Sequence, residues 1–274
     1  MSDDYSYADV QAIIAALPNS QVDLPDYAGG IADTAYLKTY VTELLTDIYD
    51  VPASVFDHAT VASTTLIRDF LNRALLFQDD RVARVTLDDL GLTISAAFDD
   101  VASLLRYPAA GSCGDHNFQL YQIFKAFGFD CAWIDSVDDI TGAYLTSHAT
   151  TLVMVEDLDK WIVQDSYENF LFRGQDGAFL SFEEARIAAA SDRDNVVFDG
   201  LLSYLEYPEL GYGRNITAEN QIVVADDLFS IPRSTVYTLD GVQYVHSFTG
   251  GFSDLASPYD PGSDHGGVFV DPDA

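Results

Sequence analysis

Basic residues are scarce in this chain. Its 274 residues include 13 Lys and Arg, only three of them Lys (Lys38, Lys125, Lys160), against 44 Asp and Glu, a formal net charge of −31. A surface of that sign repels phosphate backbones and anionic headgroups, which argues against nucleic-acid binding and polybasic membrane docking. Long apolar runs are missing too. No stretch approaches the ~18 consecutive apolar residues of a spanning helix, and Met1-Ser2-Asp3-Asp4 lacks the cationic and apolar regions of a signal peptide. The expectation is a cytoplasmic protein with no membrane partner. Cysteine is equally sparse: Cys113 and Cys131 are too few for a disulfide scaffold and are expected to be free thiols. The acids form no Asp-x-Asp-x-Asp-Gly loop, and His116 beside Asp115 has no third ligand at a recognisable spacing. Neither a metal nor a cofactor is expected.

What is present is a core-forming composition, 48% apolar and 13% aromatic, sufficient for one domain or two small ones. The acids are spread along the whole chain, a carboxylate coat suited to a salty cytoplasm where screening relieves self-repulsion. A halophilic protein of this kind should gain melting temperature from low to molar salt. A melting temperature indifferent to salt would remove that reading.

Hydrophobic periodicity predicts an α+β chain. Residues 8–17, 33–48, 60–76 and 88–105 carry apolar side chains at three- and four-residue spacing, separated by Pro, Gly and Asp-rich turns. Beyond Ser112 an aromatic helix (Phe118, Tyr121, Phe124, Phe127) ends at Gly128, and β-like runs follow at 131–134, 148–155 and 161–164. Another helix is expected over 181–190. Asp240-Gly241, between runs 236–239 and 242–245, is a strong hairpin signal. The expected organisation is a helical part (1–107), a core (108–205), a β-rich extension (206–249) and an irregular acidic tail (250–274).

Chemistry points to the start of the aromatic helix. Ser112 and Asp115 read as a capping box, which puts Cys113 in the first turn, where the helix dipole and unpaired N–H groups favour a thiolate. A cysteine nucleophile needs a base, and the base needs an orienting group. His148 opens one β-run, Asp165 ends the next, and Glu156-Asp157-Leu158-Asp159 between them is a loop of hairpin length. Pairing Val155 with Lys160 makes His148 and Asp165 diagonal neighbours on one face, roughly 7–8 Å apart at the backbone, a gap an imidazole and a carboxylate close. A loop one residue longer or shorter separates them onto opposite faces. Cys131 reads as a buried structural thiol, and His116 as exposed or supporting.

The order Cys, His, Asp, with Cys113 in a Gly-x-Cys-x-Asp segment opening a helix that ends at Gly128-Phe129, resembles the transglutaminase-like superfamily of papain-like cysteine enzymes. His148 opening a β-run and Trp161 four residues before Asp165 are similar to that family's His strand and Trp-x-x-x-Asp strand. The resemblance covers Ala110 to Asn169, about a fifth of the chain. It implies a papain-like core, a nucleophile helix packed on an antiparallel sheet, preceded here by the helical N-terminal part. It implies Cys113 as nucleophile, His148 as general base and acid, and Asp165 as orienting carboxylate. The chain departs from the family in Thr150 and Leu152, where Trp and Glu are usual, and in Ser166, where Pro is common; these bear on substrate preference.

The expected function is a cysteine hydrolase or acyltransferase acting on a peptide, amide or ester substrate through a thioester. For the oxyanion, the Cys113 N–H is the natural donor, with Tyr107, Asn117 and Gln122 as candidate side-chain companions. Two alternatives stand beside it. One is a non-catalytic binding or scaffold module with the same core. The other is an acyltransferase like the arylamine acetyltransferases, ranked lower because the Arg-Gly-Gly preceding the Cys there is absent and a −31 surface collects a polyanionic cofactor poorly. Oligomeric state is not legible.

Overall fold

The structure is a computed structural model, and it describes residues 5–20, 22, 34–74, 76–77, 110–111, 113–137, 147–200, 204–207, 212–215, 234–239 and 242–247. The helix expected over 88–105, Tyr107, Ser112 of the capping box, His265 and the acidic tail lie outside them. Helix α1 (Tyr7–Ala16) starts at Ser6, whose hydroxyl accepts the Asp9 N–H while the Asp9 carboxylate accepts the Ser6 N–H, a reciprocal cap. Helices α2 (Thr34–Tyr49) and α3 (Val61–Ala74) follow, then a two-residue parallel pair of strands, β1 (Leu76–Phe77) and β2 (Ala110–Gly111). The aromatic helix α4 (Cys113–Phe127) stops at Gly128, whose φ of +84° is the left-handed conformation that ends helices and that glycine adopts freely.

Strands β3 (Cys131–Val137), β4 (Ser147–Val155) and β5 (Lys160–Gln164) form an antiparallel meander. Beyond β5 come β6 (Phe170–Gly174), α5 (Phe182–Ser191, capped by Ser181 and Glu184), β7 (Val196–Gly200), which pairs with β6, and the pair β8 (Tyr204–Tyr207) and β9 (Tyr212–Asn215). The Asp-Gly hairpin forms, with Leu239 of β10 (Ser234–Leu239) opposite Val242 of β11 (Val242–Ser247). That hairpin adds to the meander: β10 pairs β3, giving one antiparallel sheet in the order β11-β10-β3-β4-β5. The architecture is α+β.

Alternation along the strands divides the burial between two faces. Cys131, Val153, Val155 and Ile162 pack into one cluster with Val10 and Ile14 of α1, Leu45 of α2, Phe70 of α3 and Phe124 of α4. Ala132, Leu152 and Val163 pack on the other side with Phe170, Phe172, Phe182, Ala185 and Val196. The N-terminal helices therefore share their core with α4 and the sheet.

Helix α3 differs from its amphipathic pattern in one respect. All of its residues are buried, the polar ones included. The face that a helical wheel assigns to solvent carries Thr64, Arg68, Asp69, Asn72 and Arg73, and burial of such groups is tolerated only where they are bonded. Asp69 accepts from Tyr49 Oη, Arg73 Nε and Asn169 Nδ2, each at 2.8 Å. Arg68 donates from Nε to Asn169 Oδ1 (2.9 Å) and from Nη1 to Gln164 Oε1 (2.7 Å), and Gln164 in turn donates to the Thr64 hydroxyl. The β4–β5 turn docks on the same helix: Asp157 accepts the Val61 N–H at the helix start, and Glu156 meets His58 at 2.9 Å. Asp157 is a helix cap as well as a turn acid, and His58 has a partner; both contacts join segments nearly a hundred residues apart.

Candidate active site

Cys113 is the first residue of α4, a free, partly exposed thiol, so its N–H lies among the helix donors that no intrahelical carbonyl satisfies. His148 is the second residue of β4. The β4–β5 ladder has the register expected from the loop length, with Val155 opposite Lys160, Met154 opposite Trp161 and Leu152 opposite Val163. His148 and Asp165 do meet: the ring Nε2 lies 2.6 Å from Asp165 Oδ2, with both side chains buried. This short contact leaves Nδ1 as the ring nitrogen available to another group. The Cys113 end of α4 is tied to the histidine strand through Asn117, whose Nδ2 bridges the Cys113 and Ala149 carbonyls (3.1 and 2.7 Å).

The electrostatics of the pair follow from these contacts. Burial is the largest single influence on His148 and opposes charging it. The charge and hydrogen bond of Asp165, with a smaller influence from Cys113, outweigh it together, and the ring's pKa stands well above the ordinary histidine value. Burial likewise pushes Asp165 upward, yet the His148 charge and hydrogen bond, the Glu168 N–H and the neighbouring Thr150 hydroxyl hold it below the ordinary aspartate value. Both directions favour an imidazolium held against a carboxylate.

Asp165 sits at the head of a tight turn. It exchanges both main-chain bonds with Phe170 (3.0 and 3.1 Å), and its Oδ1 accepts the N–H groups of Tyr167 (3.0 Å) and Glu168 (2.9 Å). Asn169 closes the turn at a φ of +52°, a conformation Asn tolerates better than most residues. The turn is strapped to α3: Asn72 Nδ2 donates to the Ser166 (2.8 Å) and Tyr167 (3.2 Å) carbonyls, and Arg68 and Asp69 hold the Asn169 amide. The N-terminal helices thus fix the acid that fixes the histidine.

Two expectations are corrected at the site. Asn117 is not an available oxyanion donor, because its Nδ2 already donates to the Cys113 carbonyl (3.1 Å) and the Ala149 carbonyl (2.7 Å). Gln122 lies nine residues after Cys113 on a continuous helix, about 13 Å along the axis and half a turn around, so it faces away. Of the two readings of His116, exposed or supporting, the second fits: it is buried, with its ring 5.2 Å from Tyr167 in an edge-on arrangement, and Tyr167 also stands 6.5 Å from the His148 ring. Cys131 is buried and its sulfur points to the Tyr121 carbonyl at 3.7 Å.

Sequence reasoning did not find Arg68, Asp69, Asn72 or the turn residue Asn169. Their partners lie 94 to 101 residues away, and an Asp-Arg pair four apart on a helix reads as an ordinary surface pair. Among the described residues no group of three or more His, Cys, Asp and Glu side chains is placed to hold a metal ion, and no helix is long and apolar enough to cross a membrane. Compared with protein-family models, curated proteins and solved structures, the chain matches none.

Proposed function

We propose that this chain is a cysteine-dependent acyl-transfer enzyme with a transglutaminase-like, papain-like core, acting on an amide, peptide or ester carbonyl. The observation that carries the reading is the His148 ring held by a buried carboxylate at 2.6 Å through Nε2, on a strand that Asn117 ties to the Cys113 end of a helix. In this reading Cys113 attacks the carbonyl carbon as a thiolate, and the Cys113 N–H, unpaired in the first turn, stabilises the oxyanion. The carbon–nitrogen or carbon–oxygen bond to the leaving group then breaks as His148 gives that group its proton. Water or an amine next attacks the thioester carbonyl, His148 takes the proton of the attacking group, and the sulfur leaves as thiolate. Asp165 fixes ring orientation and stabilises the imidazolium throughout.

The test is acyl trapping. Incubated with a p-nitrophenyl ester, the full chain should release a burst of nitrophenolate close to one equivalent and carry the acyl mass on the Cys113 peptide. Cys113→Ala should lose the burst entirely, and His148→Ala should slow it by about 10²–10⁴-fold. Absence of any acyl adduct on Cys113, in protein that is folded, points instead to a binding module.

A further inference from the structure

The helical positions 117, 120 and 124 fall on one face of α4, and Leu120 and Phe124 are fully buried core residues. Asn117, also fully buried, stands where an apolar side chain would be expected. An amide in such a place is costly unless all its groups are bonded. Here they are. One side-chain nitrogen donates to the carbonyls of Cys113 (3.1 Å) and Ala149 (2.7 Å), and the side-chain oxygen accepts the Ser166 N–H (3.0 Å). The amide orientation is dictated by its partners, since two carbonyls require donors and an N–H requires an acceptor. The Asn117 main-chain carbonyl adds a fourth tie, accepting from the Thr151 hydroxyl at 2.7 Å.

Each of the three side-chain bonds ends at, or one residue from, a member of the triad: on Cys113 itself, next to His148 and next to Asp165. We propose that Asn117 is the positioning residue of this site, one buried amide that sets the nucleophile helix, the histidine strand and the aspartate turn relative to one another. The inference rests on the acyl-transfer reading and goes beyond it by assigning the group that holds three separate segments in reacting geometry. An apolar side chain of equal volume would fill the space but leave the Ala149 carbonyl and the Ser166 N–H unpaired, so the segments would be free to move by the fraction of an ångström that proton transfer notices.

Iodoacetamide alkylation of the Cys113 peptide, followed against pH in the full chain by mass spectrometry, tests this. The acyl-transfer reading, in which the thiolate is paired with an imidazolium, expects a wild-type rate plateau that persists into the acidic range. Asn117→Ala, and Asn117→Asp, which keeps the shape and the Ser166 bond but loses both donors, should lower that acidic plateau at least 10-fold while leaving the alkaline limit unchanged. Phe56→Leu, a core change remote from the site, should lower the melting temperature without altering the profile. Folded Asn117 variants with the wild-type profile would overturn the positioning role while leaving the triad intact. A wild-type profile with no acidic plateau would overturn the triad reading itself. If all Asn117 variants are unfolded by circular dichroism, the residue is a folding determinant and the proposal fails.

Discussion

Asp165→Asn is expected to reduce the acylation rate by about 10²–10⁴-fold, the range set by losing the carboxylate that orients a catalytic imidazole. The amide keeps the shape but carries no charge, so the imidazolium loses the strongest of the favourable influences on it. The same substitution has a stability signature with a definite sign. His148 has a raised folded-state pKa, so its contribution is complete below the unfolded value of about 6.5 and is lost as pH rises through the higher folded value. Asp165 has a depressed folded-state pKa, so its contribution is present above the ordinary 3.8 and is lost as pH falls through the lower folded value. The two overlap between about pH 4 and 6.5. Denaturant titrations of wild type and variant should differ most in that window and converge on either side of it. A difference independent of pH would mean that the 2.6 Å contact is not an ion pair.

Asp69→Ala should be the most damaging substitution outside the triad. Its carboxylate accepts three hydrogen bonds, from Tyr49, Arg73 and Asn169, in a region excluded from water. Removing one member of a buried pair leaves the other as an uncompensated charge, at a cost of about 3–5 kcal/mol. For a chain of this length that corresponds to a fall in melting temperature on the order of 10 °C. The exposed Lys160–Glu184 pair is the internal comparison: at 34% and 45% side-chain exposure, Glu184→Ala should cost no more than about 1 kcal/mol. The damage should also reach the site, because Asn169 closes the turn that presents Asp165. Loss of acylation in the fraction of Asp69→Ala that remains folded is therefore expected. Equal effects of Asp69→Ala and Glu184→Ala would show that the α3 network contributes nothing special.

The buried face of α3 clarifies why an N-terminal helical part precedes the core. A sheet and one helix hold the imidazole against the carboxylate and tie the Cys113 end of α4 to the histidine strand, but the aspartate turn has few apolar side chains with which to hold itself. Arg68, Asp69 and Asn72 supply bonds in place of packing. Asn117 of α4 does the same for Ser166. Geometry of this kind is specific because a hydrogen bond constrains both the distance and the direction of its partners, whereas apolar contacts tolerate sliding.

The sequence by itself determined part of the elements and one register. Period and turn chemistry marked α4, β4, β5, α5 and the Asp-Gly hairpin, because those signals are local: a glycine at positive φ, a Ser-x-x-Glu cap and a four-residue loop act within a few positions of themselves. The meeting of His148 with Asp165 was legible for the same reason, since strand alternation and loop length settle which side chains share a face. Tertiary structure alone decided what surrounds them. That β10 joins β3, that the polar side of α3 is interior, and that Asn117 is spent on three carbonyl and amide partners all depend on contacts between distant segments. No periodicity encodes such contacts. A polar residue at a helical position has the same local signature whether water or another segment bonds it, and only the folded chain distinguishes the two.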